Sequence, residues 1–137
     1  MSEQDTIQIN WTAVFAGFIV DVSFSELVGT VAIFVMLALK GVELAEGDPY
    51  PADVLLVRNI IGVVGAIIGG VAAGWLARQW GTLHGVLGSL LGLVIFVCVL
   101  PILGSLDLTI GDVGFIVLNL IGAGYGGGVG ERLRARL

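Results

Sequence analysis

Asp21 and Glu26 lie inside an apolar run that extends from Trp11 to Lys40. A run of that length suits a membrane-crossing helix. A charged side chain at the centre of such a helix costs about 2.5–3.5 kcal/mol on insertion scales, so acids placed there are expected to face a bundle interior or a wet cavity. The functional reading is a proton or cation relay. Two bland readings stand beside it: the acids are protonated and hydrogen-bonded between helices, or Asp21 reaches the inner interface. Five positions separate the two, which puts them on different parts of the helix circumference and argues against one bidentate site.

Other polar groups can be matched to these acids by depth, at about 1.5 Å of rise per residue. Glu26 shares its level with Asn119, and Asp21 shares its own with Tyr125 and more loosely with His84. Asp21, Glu26, Asn119, Tyr125 and His84 are therefore the candidate relay residues. Arg58, with Asn59, sits about one turn inside the outer end of its segment and is expected to snorkel to the headgroups rather than reach inward to Glu26. His84 has no second His or Cys near it, so no metal site is expected. Cys98, the single cysteine, is expected as a small core residue.

Two glycine motifs invite chemistry that their context does not support. Gly122, Gly124 and Gly127 satisfy G-x-G-x-x-G, but no strand precedes them and no βαβ unit follows, so no dinucleotide site is expected. Gly124-Tyr125-Gly126 resembles the end of a potassium filter, yet Gly122-Ala123 stands where the filter's Thr-Val would be and no pore helix accompanies it. No serine or cysteine nucleophile has a paired base. The expectation is no enzyme and no cofactor.

The elements that must position these residues follow from composition. Of 137 residues, 57% are hydrophobic and 12% charged, and the mean hydropathy is +1.05. A soluble domain carries about 25% charged residues. Lipid is therefore the expected solvent, and because the apolar runs do not alternate with polar residues, helices rather than barrel strands must span it. The net charge of −5 comes from acids grouped in the N-terminal tail (Glu3, Asp5) and in one loop (Glu43, Glu46, Asp48, Asp53), which carries no nucleic-acid signal. Residues 1–10 hold no base and the first apolar run is too long for an h-region, so no cleavable signal peptide is expected.

The fold class expected is an all-α membrane protein, a four-transmembrane-helix bundle. A polar tail covers residues 1–11; helices cover about 12–39, 54–77, 82–103 and 108–130; a basic tail covers 131–137. Asp53 is placed to cap or favour the second helix. Four helices put both termini on one side. Arg78, Arg132, Arg134 and Arg136 fall there, against Lys40 and Arg58 opposite, so both termini are expected in the cytoplasm. Trp11, Trp75 and Trp80 fall at the same interface.

Glycines recur at helical spacing: Gly17 and Gly29 on the first helix; Gly62, Gly65 and Gly69 on the second; Gly85, Gly88 and Gly92 on the third; Gly122 and Gly126 on the fourth. In lipid, stripes of small residues let helix backbones approach and are a main source of association. Packing of the four helices, and of the chain with copies of itself or another membrane subunit, is expected to use them. Membrane lipids are the remaining partner.

Gly69-Gly70-Val71-Ala72-Ala73-Gly74-Trp75-Leu76-Ala77-Arg78, followed by Leu83-His84-Gly85-Val86-Leu87-Gly88, resembles the central hairpin of an uncharacterised family of small four-helix prokaryotic membrane proteins, many from halophiles. The resemblance implies a four-helix integral membrane fold and brings no catalytic residues with it. Ser25-Glu26-Leu27-Val28-Gly29-Thr30 is similar to the first helix of small multidrug-resistance antiporters, whose embedded glutamate exchanges protons for cationic drugs. The third helix here lacks the aromatic residues that stack on cations in that family. The function expected is a structural or accessory membrane role, the alternative being proton-coupled transport through Glu26 and Asp21.

Overall fold

Valine, isoleucine and glycine are weak helix formers in water, yet a chain surrounded by hydrocarbon must satisfy every amide within its own segment. The computed structural model describes residues 7–45, 48–103 and 110–137. Those residues form α1 (Trp11–Lys40), α2 (Ala52–Ala77), α3 (Gly81–Leu103) and α4 (Ile110–Arg134). Each holds a stretch long and apolar enough to cross a membrane. The expected bounds shift by two residues or fewer at α1, α2 and α3. Residues 108 and 109, expected to open the fourth helix, lie outside the described residues. At its other end α4 runs through Arg134, so part of the expected basic tail is helical.

The helix ends are closed by recognisable chemistry. The Asn10 Oδ1 accepts the Ala13 N–H at 3.2 Å and caps α1. Gly41 ends the helix in the left-handed region (φ +62°), its N–H donating to Ala38 O at 3.2 Å and that of Val42 to Leu37 O at 3.1 Å. Pro51 precedes α2 without a side-chain cap, so Asp53 favours the helix N-terminus as a first-turn carboxylate and not as its N-cap residue. It stands in the first turn and forms an ion pair with Lys40, tying the end of α1 to the start of α2. Between α2 and α3 the chain reverses through Arg78 (φ +67°) and Trp80 (φ +57°), two left-handed residues that are not glycine.

α2 is the central element. It packs on α1, α3 and α4, and α3 also touches α1 and α4, whereas α1 and α4 lie diagonally and do not meet among the described residues. The closest approaches are backbone to backbone. A Cβ on Gly70 would stand 2.9 Å from the Ala123 carbonyl carbon, and one on Gly74 would stand 2.7 Å from that of Gly127. A Cβ on Gly17 would lie 2.8 Å from Gly69 O. Gly85 and Gly126 likewise face backbone, of Ala123 and Ile67. Gly88 lies 3.2 Å, by the same construction, from Val14 O. Gly29, Gly62 and Gly92 instead face side chains at 3.4–3.9 Å, and Gly122 faces the Ile67 side chain at 3.1 Å and Val63 O at 3.5 Å.

Cys98 departs from expectation: it is exposed. Val94 to Val99 are all exposed, which in a helix means that no described neighbour covers any face of α3 at that level.

Candidate functional site

The intramembrane acids occupy two different environments. Asp21 is half-buried on the α2 side of α1, where its Oδ1 accepts the Ser25 hydroxyl at 3.2 Å. Its room comes from missing side chains. A Cβ on Gly65 would stand 3.0 Å from the carboxylate oxygen, and one on Gly69 would stand 2.7 Å from Asp21 Cβ. The carboxylate and serine thus fill a notch that the α2 glycines leave open.

Glu26 points out of the bundle, its side chain 66% exposed. The Arg58 Nη2 lies 3.7 Å from its Oε1, with the arginine side chain 49% exposed. Arg58 therefore reaches inward to an acid instead of rising to the headgroups. Gly29 explains the reach: it is three residues past Glu26 and has no side chain. A Cβ there would stand 3.8 Å from Arg58 Cγ, so the arginine stem lies across Gly29 toward the carboxylate. Outward of the pair runs a groove of about 610 Å³, whose lining includes Thr30, Phe34, Leu37, Tyr50 and Arg58.

The remaining relay candidates are not brought to either acid. Asn119 lies against Gly62 on the α2–α4 side, 3.9 Å from where a Cβ there would stand. Tyr125 is 69% exposed on the outside of α4. Equal depth placed these residues beside the acids in sequence, but among the described residues α1 and α4 do not adjoin.

His84 is fully buried at the end of the bundle where the termini meet. Its Nε2 accepts the Asn10 backbone N–H at 2.8 Å, and its Nδ1 lies 2.9 Å from the Trp80 carbonyl oxygen. An amide can only donate and a carbonyl can only accept, so these partners assign the neutral Nδ1–H tautomer. The Trp80 carbonyl also accepts the His84 backbone N–H at 3.1 Å. One imidazole thereby holds the left-handed turn and the start of α1.

Glu131 and Arg134 complete this end and were not legible as site residues. The Glu131 Oε2 accepts the Gly81 N–H at 2.7 Å, at the first residue of α3. The Arg134 Nη1 donates to Trp75 O at 2.9 Å and to Leu76 O at 3.5 Å, near the end of α2. Leu76 O also accepts from the Asn10 side-chain amide at 3.3 Å. Carboxylate at a helix N-terminus and guanidinium at a C-terminus both oppose the helix dipole. The only sequence signal is their i, i+3 spacing on the last turn of α4.

Among the described residues no cluster of three or more His, Cys, Asp or Glu could hold a metal ion. The chain matches no protein-family model, no curated protein and no solved structure. The architecture of the described residues defines the class, an all-α bundle of four helices each long and apolar enough to cross a membrane.

Proposed function

We propose that this chain is a small structural or accessory membrane protein that acts by assembling in the bilayer, with no enzymatic activity of its own. The observation that carries the reading is the filling of the helix interfaces by touching backbones, at Gly70 against Ala123 and Gly74 against Gly127. Helices locked at that distance make a rigid unit that presents its outer faces to others. Both termini lie in the cytoplasm, on the side that carries Arg78, Arg132, Arg134 and Arg136. The likeness of the α2–α3 hairpin to small four-helix prokaryotic membrane proteins supports the same reading.

Proton-coupled transport through Glu26 and Asp21 is the second reading, favoured by the position of both acids in the middle of α1. Proteoliposomes decide between them. Ion and cationic-drug flux is measured for wild type, Glu26→Gln and empty vesicles. The accessory reading expects all three to coincide; wild-type flux that Glu26→Gln abolishes would overturn it. Gly69→Leu, which drives a side chain into α1, is expected to disperse any assembly seen by crosslinking, and an unchanged assembly would also count against the reading.

A further inference from the structure

We infer that the outward face of α1 and α2 around Glu26 and Arg58 is a self-complementary docking surface, and that its occupant is a second copy of this chain in the same orientation. The inference deepens the accessory reading and rests on it for its purpose, though not for its geometry. Four observations lead to it.

First, charge is displayed where hydrocarbon would otherwise be. Glu26 lies near the middle of a 30-residue helix, and both it and Arg58 are about half exposed or more. Charged groups at such a depth require polar company. Second, the pair as it stands is incomplete. A guanidinium has five N–H donors and a carboxylate about four acceptor positions. The Arg58 Nη2 stands 3.7 Å from the Glu26 Oε1, beyond hydrogen-bonding distance. Third, the exposed stripe continues with polar groups. Ser23 and Thr30 are exposed three residues before and four residues after Glu26, on the same side of α1.

Fourth, both signs sit at one depth. Because the Arg58 guanidinium reaches the level of the Glu26 carboxylate, a two-fold axis along the membrane normal brings each guanidinium to the other chain's carboxylate. Isologous contacts of this kind require a patch that complements itself. A patch of one sign would repel its copy; this one closes a ring of four alternating charges. The exposed Phe34 lines the groove beside Arg58, so the same axis brings the two grooves and their phenylalanines onto one shared face. An axis along the normal also keeps both copies in one orientation, as the arginine-rich cytoplasmic end requires.

Charge reversal in two differently tagged chains tests the surface. In lipid nanodiscs or vesicles, wild type is expected to dimerise. Glu26→Arg and Arg58→Glu are each expected to lose the homodimer by about tenfold or more in affinity, the size of one close charge pair worth about one decade. Mixed together, the two variants are expected to recover a heterodimer, because one contributes only cations to the ring and the other only anions. Stability is checked by thermal melting of each variant, so that an unfolded chain is not read as a monomer. On a Cys98→Ser background, Ser23→Cys is expected to crosslink between copies, while Tyr125→Cys on α4 is not.

A wild type that is monomeric in lipid, homodimers that survive either reversal, failure of the folded mixture to pair, or crosslinking through position 125 instead of 23 would each overturn the inference. A monomer that retains anionic lipid and loses it in Arg58→Glu would overturn it in favour of a headgroup. Flux through wild-type vesicles would defeat the accessory reading while leaving this dimer standing, so the two failures are separable.

Discussion

The Glu131 carboxylate accepts the N–H of Gly81 at 2.7 Å, so the last turn of α4 caps the first turn of α3 across fifty positions of sequence. Glu131→Ala removes that acceptor and leaves an amide without its partner at a half-buried helix start. The expected loss is about 0.5–2 kcal/mol, the range for a helix cap. Glu131→Gln keeps a carbonyl oxygen in place and is expected to lose less. Thermal unfolding in detergent, followed by circular dichroism, ranks the two; an unaffected alanine variant would show that the contact contributes nothing.

Glycines that face backbone should be far less replaceable than those that face space. Gly74→Ala would press a methyl group to 2.7 Å from the Gly127 carbonyl carbon, and overpacking of this kind costs about 1–3 kcal/mol. Gly114 meets nothing within 4 Å, and Gly114→Ala should stabilise its helix by roughly 0.5–1 kcal/mol. Gly65→Ala falls between, because part of what it meets is the movable ends of Ser25 and Asp21. Unfolding midpoints that failed to order Gly74→Ala below Gly65→Ala below Gly114→Ala would contradict the packing described.

His84→Ala should loosen α1 locally. The Asn10 N–H would lose its acceptor and the Trp80 carbonyl one of its two donors. Leaving a buried donor without its partner costs about 1–3 kcal/mol, and the half-buried Asn10 N–H should fall at the low end. Hydrogen exchange is expected to accelerate at Asn10 to Val14 and at the 78–80 turn, with the middle of α1 unchanged. Uniform acceleration along α1 would mean that the imidazole supports the whole helix rather than its start.

Ser25→Ala removes the hydroxyl that donates to Asp21. Hydrogen bonds between side chains in membrane proteins average about 0.6 kcal/mol. The expected effect is therefore small, below that of Glu131→Ala. A loss several times larger would place Asp21 at the centre of a polar network wider than the serine alone.

The helices were legible because apolar runs of this length in lipid have one backbone solution, and the turns at Gly41 and after Ala77 were marked by glycine, proline and charge. Helix rotation about its own axis was not legible. Level-matching set Asn119 beside Glu26, but α2 stands between their helices. Arg58 was expected to rise because side-chain direction cannot be read from depth; the empty surface of Gly29 turns it the other way. Cys98 was expected inside because every face of an apolar helix reads alike. The capping by Glu131 and Arg134 escaped notice for a different cause: their partners are main-chain atoms, and every residue type carries those.

The α2–α3 turn gains a temporal meaning from the groups that hold it. Arg78 and Trp80 bend the hairpin, but Glu131 and Arg134 reach the turn only when the final turn of α4 has been translated and inserted. During synthesis the Gly81 amide and the Trp75 carbonyl therefore lack these partners until then, while Leu76 O can already be met by the Asn10 side chain. Closure of the bundle is a late event, governed by the arrival of its fourth span.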